Sequence, residues 1–303
     1  QKTWTKIMKK IFQIFKKIRY KKTILSVIGI FIFVLLLSDD GFNEPHIAKI
    51  TIEDIIVQDS YRYKKLDELS KDENTKAVIA LINSPGGTVV GGETLYKSIK
   101  NITQQKPVIT VMGEVATSAA YMASLGSNYI FAQEGTVTGS IGVLVLTSEV
   151  TELAKKIGIS TEVIKSGDLK ASPSPLEKMT PKVRQETKKI VKDMSKSFIN
   201  LVKLERDLDN SVIKIISDGR IFTGKSAVTL GLVDAIGNIK EAKDYLNTQY
   251  NIKELPLLDV EIIKEETFAE QFFSHFSKSL NKSLNTSKFF NLKGLISIWL
   301  PKI

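Results

Sequence analysis

Two apolar runs, Ala77-Val78-Ile79-Ala80-Leu81-Ile82 and Val108-Ile109-Thr110-Val111-Met112, constrain the fold more than any other feature of the 303-residue chain. Neither alternates polar with apolar residues, so each reads as a strand buried on both faces, as in parallel sheets covered by helices. The first stops at Asn83-Ser84-Pro85-Gly86-Gly87, a helix candidate follows over Glu93 to Asn101, and Pro107 leads into the second. Strand, glycine turn, helix, strand defines a βαβ unit with a parallel sheet.

The pattern extends in both directions. Ile47 to Val57 reads as a strand and Ser60 to Ser70 as a short charged helix. Beyond Met112 the spacing predicts a helix over Ser118 to Leu125, a strand at Tyr129-Ile130-Phe131, a turn at Glu134-Gly135 and a strand over Ile141 to Leu146. A helix at Glu149 to Ile157, a strand at Ser160 to Ile164 and a polar loop from Ser166 to Leu176 come next. Pro181 opens a long helix capped by Thr180, with Val183, Ile190, Met194, Phe198, Leu201 and Leu204 at helical spacing and a solvated, lysine-rich face between them. Ile213 to Leu232 and Lys240 to Leu246 supply two further helical stretches around Val233-Asp234-Ala235-Ile236.

Charge separates the ends from the body. The formal net charge is +10, but residues 1–22 hold nine Lys or Arg and residues 271–303 five Lys, neither with an acid, which leaves 29 basic against 33 acidic residues between them. A body with that balance is not a phosphate-tracking surface, so nucleic acid is not an expected partner. The basic head precedes an uncharged run over residues 23–38, 16 residues long, or about 24 Å of helix. With Lys21 and Lys22 snorkelling, it reads as a transmembrane anchor. The positive-inside rule puts the N-terminus in the cytoplasm and everything after Asp39 outside, as expected at a bacterial cytoplasmic membrane. Leu36-Leu37-Ser38-Asp39 offers no small-x-small cleavage site, so the anchor is expected to be retained. The sequence opens on Gln1, and residues before it are left open. The expected layout is a basic cytoplasmic segment (1–22), the anchor (23–38), a linker (39–46), one catalytic domain (47–264) and a basic amphipathic tail (265–303). The tail, with Phe272, Phe273, Phe276, Leu280 and Leu284 at helical steps, has two open readings: it lies on an anionic membrane surface, or it docks on its own domain or a neighbouring subunit.

The chain has no cysteine, which excludes disulfides, thiolate metal sites and a cysteine nucleophile. Its two histidines, His46 and His275, lie outside the glycine-rich middle, which argues against a Ser-His-Asp triad or a histidine metal site. The chemistry is expected instead in three glycine- and hydroxyl-rich turns, Asn83 to Gly87, Met112 to Tyr121 and Thr138 to Gly142, each following a strand. Sites of open α/β sheets form beyond the carboxyl ends of strands, so the three turns are expected to share one crevice.

These turns, with Lys165-Ser166-Gly167-Asp168-Leu169-Lys170 and Asp218-Gly219-Arg220 through Gly231-Leu232-Val233-Asp234, resemble the signal peptide peptidase A family of serine-lysine membrane proteases over residues 47–250. The resemblance implies a crotonase/Clp-protease-like α/β fold of repeated ββα/βαβ units with a parallel sheet, preceded by one transmembrane helix. It implies Ser118 as nucleophile, Lys170 as general base, Ser140 as the hydroxyl that orients the lysine, and the N–H groups of Gly87 and Ala119 as oxyanion hole. It further implies peptide substrates, among them remnant signal peptides, a ring-like homo-oligomer, and no cofactor or metal. A lysine base must be neutral, hence desolvated from its ordinary pKa of ~10.4 toward ~7 to 8. Outside the resemblance, Ser118 reads as an N-cap, Lys170 as one more solvated lysine, and Lys165 as a competing base. The family usually shows two glycines after the nucleophile where this chain has Ala119-Ala120, a departure that costs on the order of 1 kcal/mol if the turn needs φ > 0 and none in a helical first turn. Two other readings remain: a catalytically silent scaffold on the same fold, and an acyl-CoA hydratase or isomerase, which the anchor disfavours.

Overall fold

The computed structural model describes residues 44–263 and the backbone of 296–298. The chain divides into two units, Gln1–Glu44 and Pro45–Ile303. Of the first only Glu44 is described, so the anchor predicted over residues 23–38 lies outside the described residues. Among those that are described, no helix is long and apolar enough to cross a membrane.

The second unit is built on a mixed, mainly parallel sheet. Strands β1 (His46–Glu53), β2 (Thr75–Ser84) and β4 (Val108–Thr117) run parallel in its centre, with β9 (Leu257–Asp259) parallel to β1 at one edge. The far edge of β4 is shared: Ile109–Val111 pair with β5 (Tyr129–Ala132), and Val115–Thr117 pair with β6 (Val137–Gly139). Beyond them β8 (Ala235–Ile236) pairs parallel with β5, and β7 (Ile221–Thr223) pairs antiparallel with β6.

Alternation along the central strands divides their side chains between two cores. Ala48, Ile50, Ile52, Val78, Ala80, Ile82, Val108 and Met112 face one side, under α1 (Ser60–Lys71), α2 (Val89–Thr103) and α3 (Ala119–Ser124). Ile47, Ala77, Ile79, Ile109, Val111 and Phe131 face the other, where Ala242 and Leu246 of α8 (Ile239–Tyr250) cover them and Tyr245 stacks on Tyr129. Both apolar runs therefore form the doubly covered strands that their composition demands.

Between β6 and β8 lie α4 (Thr151–Lys156), α5 (Pro181–Glu205), α6 (Asn210–Ile216) and α7 (Gly224–Thr229). Pro181 opens α5 and the Thr180 hydroxyl accepts the Val183 N–H at 3.2 Å, the cap expected from sequence. Phe198 and Val202 tie the C-terminal half of α5 into the main core, whereas Ile190 and Leu204 of its apolar stripe are exposed.

Three expected elements differ. Ile141–Leu146 and Ser160–Ile164 are not strands: the chain leaves the sheet at Ser140, and Leu144, Leu146, Val163 and Ile164 lie exposed. Ile141 alone is fully buried in the main core, whereas the apolar side chains of Leu144, Leu146, Val163 and Ile164 face outward rather than into the sheet. The stretch from Ile213 to Leu232 is not one helix, because Gly219 at φ +82° reverses the chain between α6 and β7, which then joins the sheet beside β6.

Candidate active site

The three turns meet at the carboxyl ends of β2, β4 and β6. Val115 donates its N–H to the Asn83 Oδ1 at 3.1 Å, the Thr117 hydroxyl donates to the Pro85 carbonyl at 3.1 Å, and the Thr138 hydroxyl donates to the Ala116 carbonyl at 2.7 Å. The Ser118 N–H donates to the Gly139 carbonyl at 2.8 Å, so nucleophile candidate and third turn are joined directly.

Ser118 sits between the end of β4 and α3 at φ 59°, ψ −118°, a conformation that glycine adopts readily and L-residues avoid. Such a backbone costs on the order of 1 to 3 kcal/mol and persists only where its surroundings enforce it. Here the bond to Gly139 precedes it and the bond from the Met122 N–H to the Ser118 carbonyl follows it. Its side chain makes no N-cap hydrogen bond, so the capping role is not the one it fills. The residue is only 1% exposed.

Positive φ falls on Ser118 and not on Ala119 or Ala120, which open α3 as ordinary helical residues. The two alanines in place of glycines therefore carry no backbone penalty. Their methyl groups are buried, and the packing is tight enough that a Cβ on Gly92 of α2 would stand 2.9 Å from the Ala119 Cβ.

Gly86–Thr88 forms β3, held by bonds from the Ile56 N–H to the Gly86 carbonyl at 2.8 Å and from the Thr88 N–H to the Ile56 carbonyl at 2.9 Å. A Cβ on Gly87 would lie 1.8 Å from the Ile56 carbonyl oxygen, which is why that position is glycine. The other edge of β3 takes β10 (Ile296–Ile298) as an antiparallel partner, with Ser297 opposite Gly87. Part of the tail thus docks on its own domain; the rest of 265–303 lies outside the described residues.

Ser140 follows Gly139, and both have positive φ, 51° and 86°. The Ser140 N–H donates to the Arg220 carbonyl at 2.9 Å, and Arg220 is fixed by bonds of 2.6 to 3.0 Å to Asp218, whose carboxyl this pairing holds below its ordinary range. Asp218-Gly219-Arg220, legible in the sequence only as part of the resemblance, is thus the buckle that places Ser140. Gly231 to Asp234 braces the opposite side: the Tyr121 hydroxyl donates to the Leu232 carbonyl at 3.0 Å, and Arg206 binds Asp234 through two hydrogen bonds of 3.0 and 2.9 Å. Burial pushes the Tyr121 phenol up, so this residue of α3 stays a neutral donor.

Lys170 stands apart from these contacts. It lies exposed in the turn closed by its own N–H to the Gly167 carbonyl at 3.0 Å, and no side-chain bond joins it to Ser118 or Ser140. Lys165 is ion-paired with Glu177 and donates to the Ser172 hydroxyl at 3.2 Å, so this competing base is already engaged.

Residues 100–253 match the model of peptidase family S49, and residues 49–134 match that of Clp protease. A candidate protease of Methanocaldococcus jannaschii is 33% identical over 192 residues, covering 63% of this chain and 62% of that one. A candidate signal peptide peptidase SppA of Enterococcus faecium is 30% identical over 250 residues, with 78% and 71% covered. Protease 4 of Haemophilus influenzae is 31% identical over 172 residues, with 56% of this chain but 28% of that protein covered. Among solved structures, the 1510-N membrane-bound stomatin-specific protease aligns with a TM-score of 0.46 at 18% identity, over 72% of this chain and 98% of that one. The chain is a mixed α/β protein of a protease class. It belongs to peptidase family S49.

Proposed function

We propose that the chain is a membrane-anchored serine endopeptidase that cleaves peptides, remnant signal peptides among them, through a Ser118–Lys170 dyad. The observation that carries this reading is Ser118 itself: a buried serine in a glycine-like backbone conformation, whose side chain does not serve as the helix cap, at the meeting point of three strand-end turns. In this reading Ser118 Oγ attacks the scissile carbonyl carbon while the neutral Lys170 amine takes its proton. The oxyanion is held by the Gly87 and Ala119 N–H groups, and the lysine passes the proton to the departing amine. Water then cleaves the acyl-enzyme ester by the same route in reverse, which regenerates the serine. Ser140 orients the lysine.

The edge of β3 that carries Gly87 accepts an extended antiparallel partner, as β10 illustrates, and a substrate peptide would add in the same manner. Because Lys170 is exposed whereas a lysine base must be desolvated, we assign the dyad to two neighbouring subunits of a homo-oligomer. The segment around Lys170 favours this assembly, since Leu146 is 80% exposed and Ile164 92% exposed. A covering subunit would also supply the desolvation that a lysine base needs. The anchor over residues 23–38 would hold the domain on the extracytoplasmic face of the membrane.

Treatment with a fluorophosphonate followed by peptide mass mapping tests the nucleophile. The expected adduct sits on Ser118; an unlabelled Ser118 in a folded, assembled protein would favour the scaffold reading.

A further inference from the structure

Beside Ser140 runs a groove of about 880 Å³, lined among the described residues by Ser140, Gly142 to Val145, Met179, Ser217 to Gly219 and one face of α5. On that face Arg184, Lys188, Lys192 and Lys196 recur every four residues, so they form a stripe along the helix. All four are exposed, whereas Thr187, Val191, Ser195 and Ile199, interleaved with them, are half-buried and form the floor.

None of the four cations has an ion pair or a side-chain hydrogen bond among the described residues, although their neighbours do: Lys189 binds Glu186 at 2.7 Å and Lys182 binds Asp168 at 3.3 Å. The single acid on the groove wall, Asp218, is taken by Arg220 at 2.6 Å. The groove thus combines the apolar side chains of Val143, Val191 and Ile199 with a cationic rim that makes no ion pair among the described residues. It opens at Ser140, one residue from the carbonyl that accepts the Ser118 N–H.

We propose that this groove is an extended substrate subsite that selects peptides carrying acidic side chains beside an apolar stretch, a preference that rests on the peptidase reading. A peptide leaving the Ser118 crevice past Ser140 would lay apolar side chains on Val191 and Ile199 and bring carboxylates within reach of Lys188, Lys192 and Lys196. An exposed stripe of like charge repels itself when empty, and an acidic partner relieves that repulsion. Continuity with Ser140 favours a peptide over an anionic membrane surface, because a flat bilayer would meet the rim without entering the groove.

The test uses the full chain and three fluorogenic peptides with one apolar core and flanks of Asp/Glu, Asn/Gln or Lys. In parallel, binding of the same labelled peptides to Ser118→Ala protein is followed by fluorescence anisotropy. Wild type should cleave the acidic-flanked peptide with kcat/KM about three- to tenfold above the neutral one at low salt, and the gap should close at ~1 M salt. The pair Lys192→Glu with Lys196→Glu should reverse the order, mainly through KM. Equal cleavage and equal binding of the three peptides, or an unchanged preference in the double variant, would overturn the inference while leaving the peptidase intact. No cleavage of any peptide would instead defeat the peptidase reading, and the binding order would then decide the groove by itself. A loss of binding to phosphatidylglycerol vesicles in the double variant, with equal peptide affinities, would assign the stripe to the membrane and also overturn it.

Discussion

Ser118 illustrates at the scale of one residue how the position proposed as nucleophile would conflict with stability. Its φ of 59° with ψ of −118° suits glycine, so Ser118→Gly should raise stability by about 1 kcal/mol while abolishing peptide cleavage. Ser118→Ala should abolish cleavage without that gain, because alanine keeps the unfavourable backbone. Thermal melts of the two variants separate the outcomes, and a glycine variant no more stable than the alanine one would show that the conformation is not strained. Gly87 makes the opposite case. A methyl group there would meet the Ile56 carbonyl, and Gly87→Ala should cost about 2 to 3 kcal/mol in a denaturant titration. These residues could be found by sequence only as members of a pattern. The glycine turns were visible; that Gly87 is dictated by Ile56 was not, because the contact crosses 31 positions of chain.

At the scale of elements, the two doubly buried strands and the Thr180–Pro181 helix start were legible because local composition dictates them. Ile141–Leu146 and Ser160–Ile164 were misread because an apolar run reports that burial is favourable, not which surface provides it. The lysine-rich face of α5 is solvated as its sequence indicates, but the groove beside it is not legible there. Lysines at solvent exposure look alike whether or not they rim a groove. Two element-level predictions follow from contacts. First, β10 occupies the edge of β3 that a substrate would use, so a chain ending at Glu270 should cleave peptides with KM lowered about two- to tenfold and kcat unchanged; an unchanged KM would show that β10 does not compete. Second, burial pushes the Asp72 carboxyl up, but hydrogen bonds from the Thr75 hydroxyl and the Asn74 N–H pull it further down, to a net value below the ordinary one. A depressed carboxylate binds fewer protons folded than unfolded, so its stabilisation is present above the ordinary carboxylate pKa and is lost as pH falls through the folded value. Asp72→Asn should therefore lower Tm by about 2 to 4 °C near pH 7 and by progressively less as pH falls below the ordinary carboxylate pKa; a loss that does not shrink with falling pH would contradict the linkage.

At the scale of the whole molecule, the segment between Ser140 and Pro181 is the part that the proposed assembly would cover. It carries Lys170 and exposes Leu146, Leu153, Ile157, Ile159 and Ile164, side chains whose burial is worth ~1.5 to 3 kcal/mol each. Leu146→Lys with Ile164→Lys should shift the mass seen by light scattering from oligomer to monomer and remove peptidase activity together; a monomer with full activity would end the two-subunit dyad. The most direct measurement mixes two inactive proteins. Turnover of a fluorogenic signal-peptide-like substrate is followed for wild type, Ser118→Ala, Lys170→Ala and a co-assembled mixture of the two variants. The account predicts activity in wild type, a loss on the order of 10³-fold or more in each variant alone, and partial recovery in the mixture, where an intact Ser118 meets an intact Lys170 from the neighbour. Wild-type activity in Lys170→Ala would contradict the dyad, and two inactive variants that stay inactive when co-assembled would contradict its division between subunits.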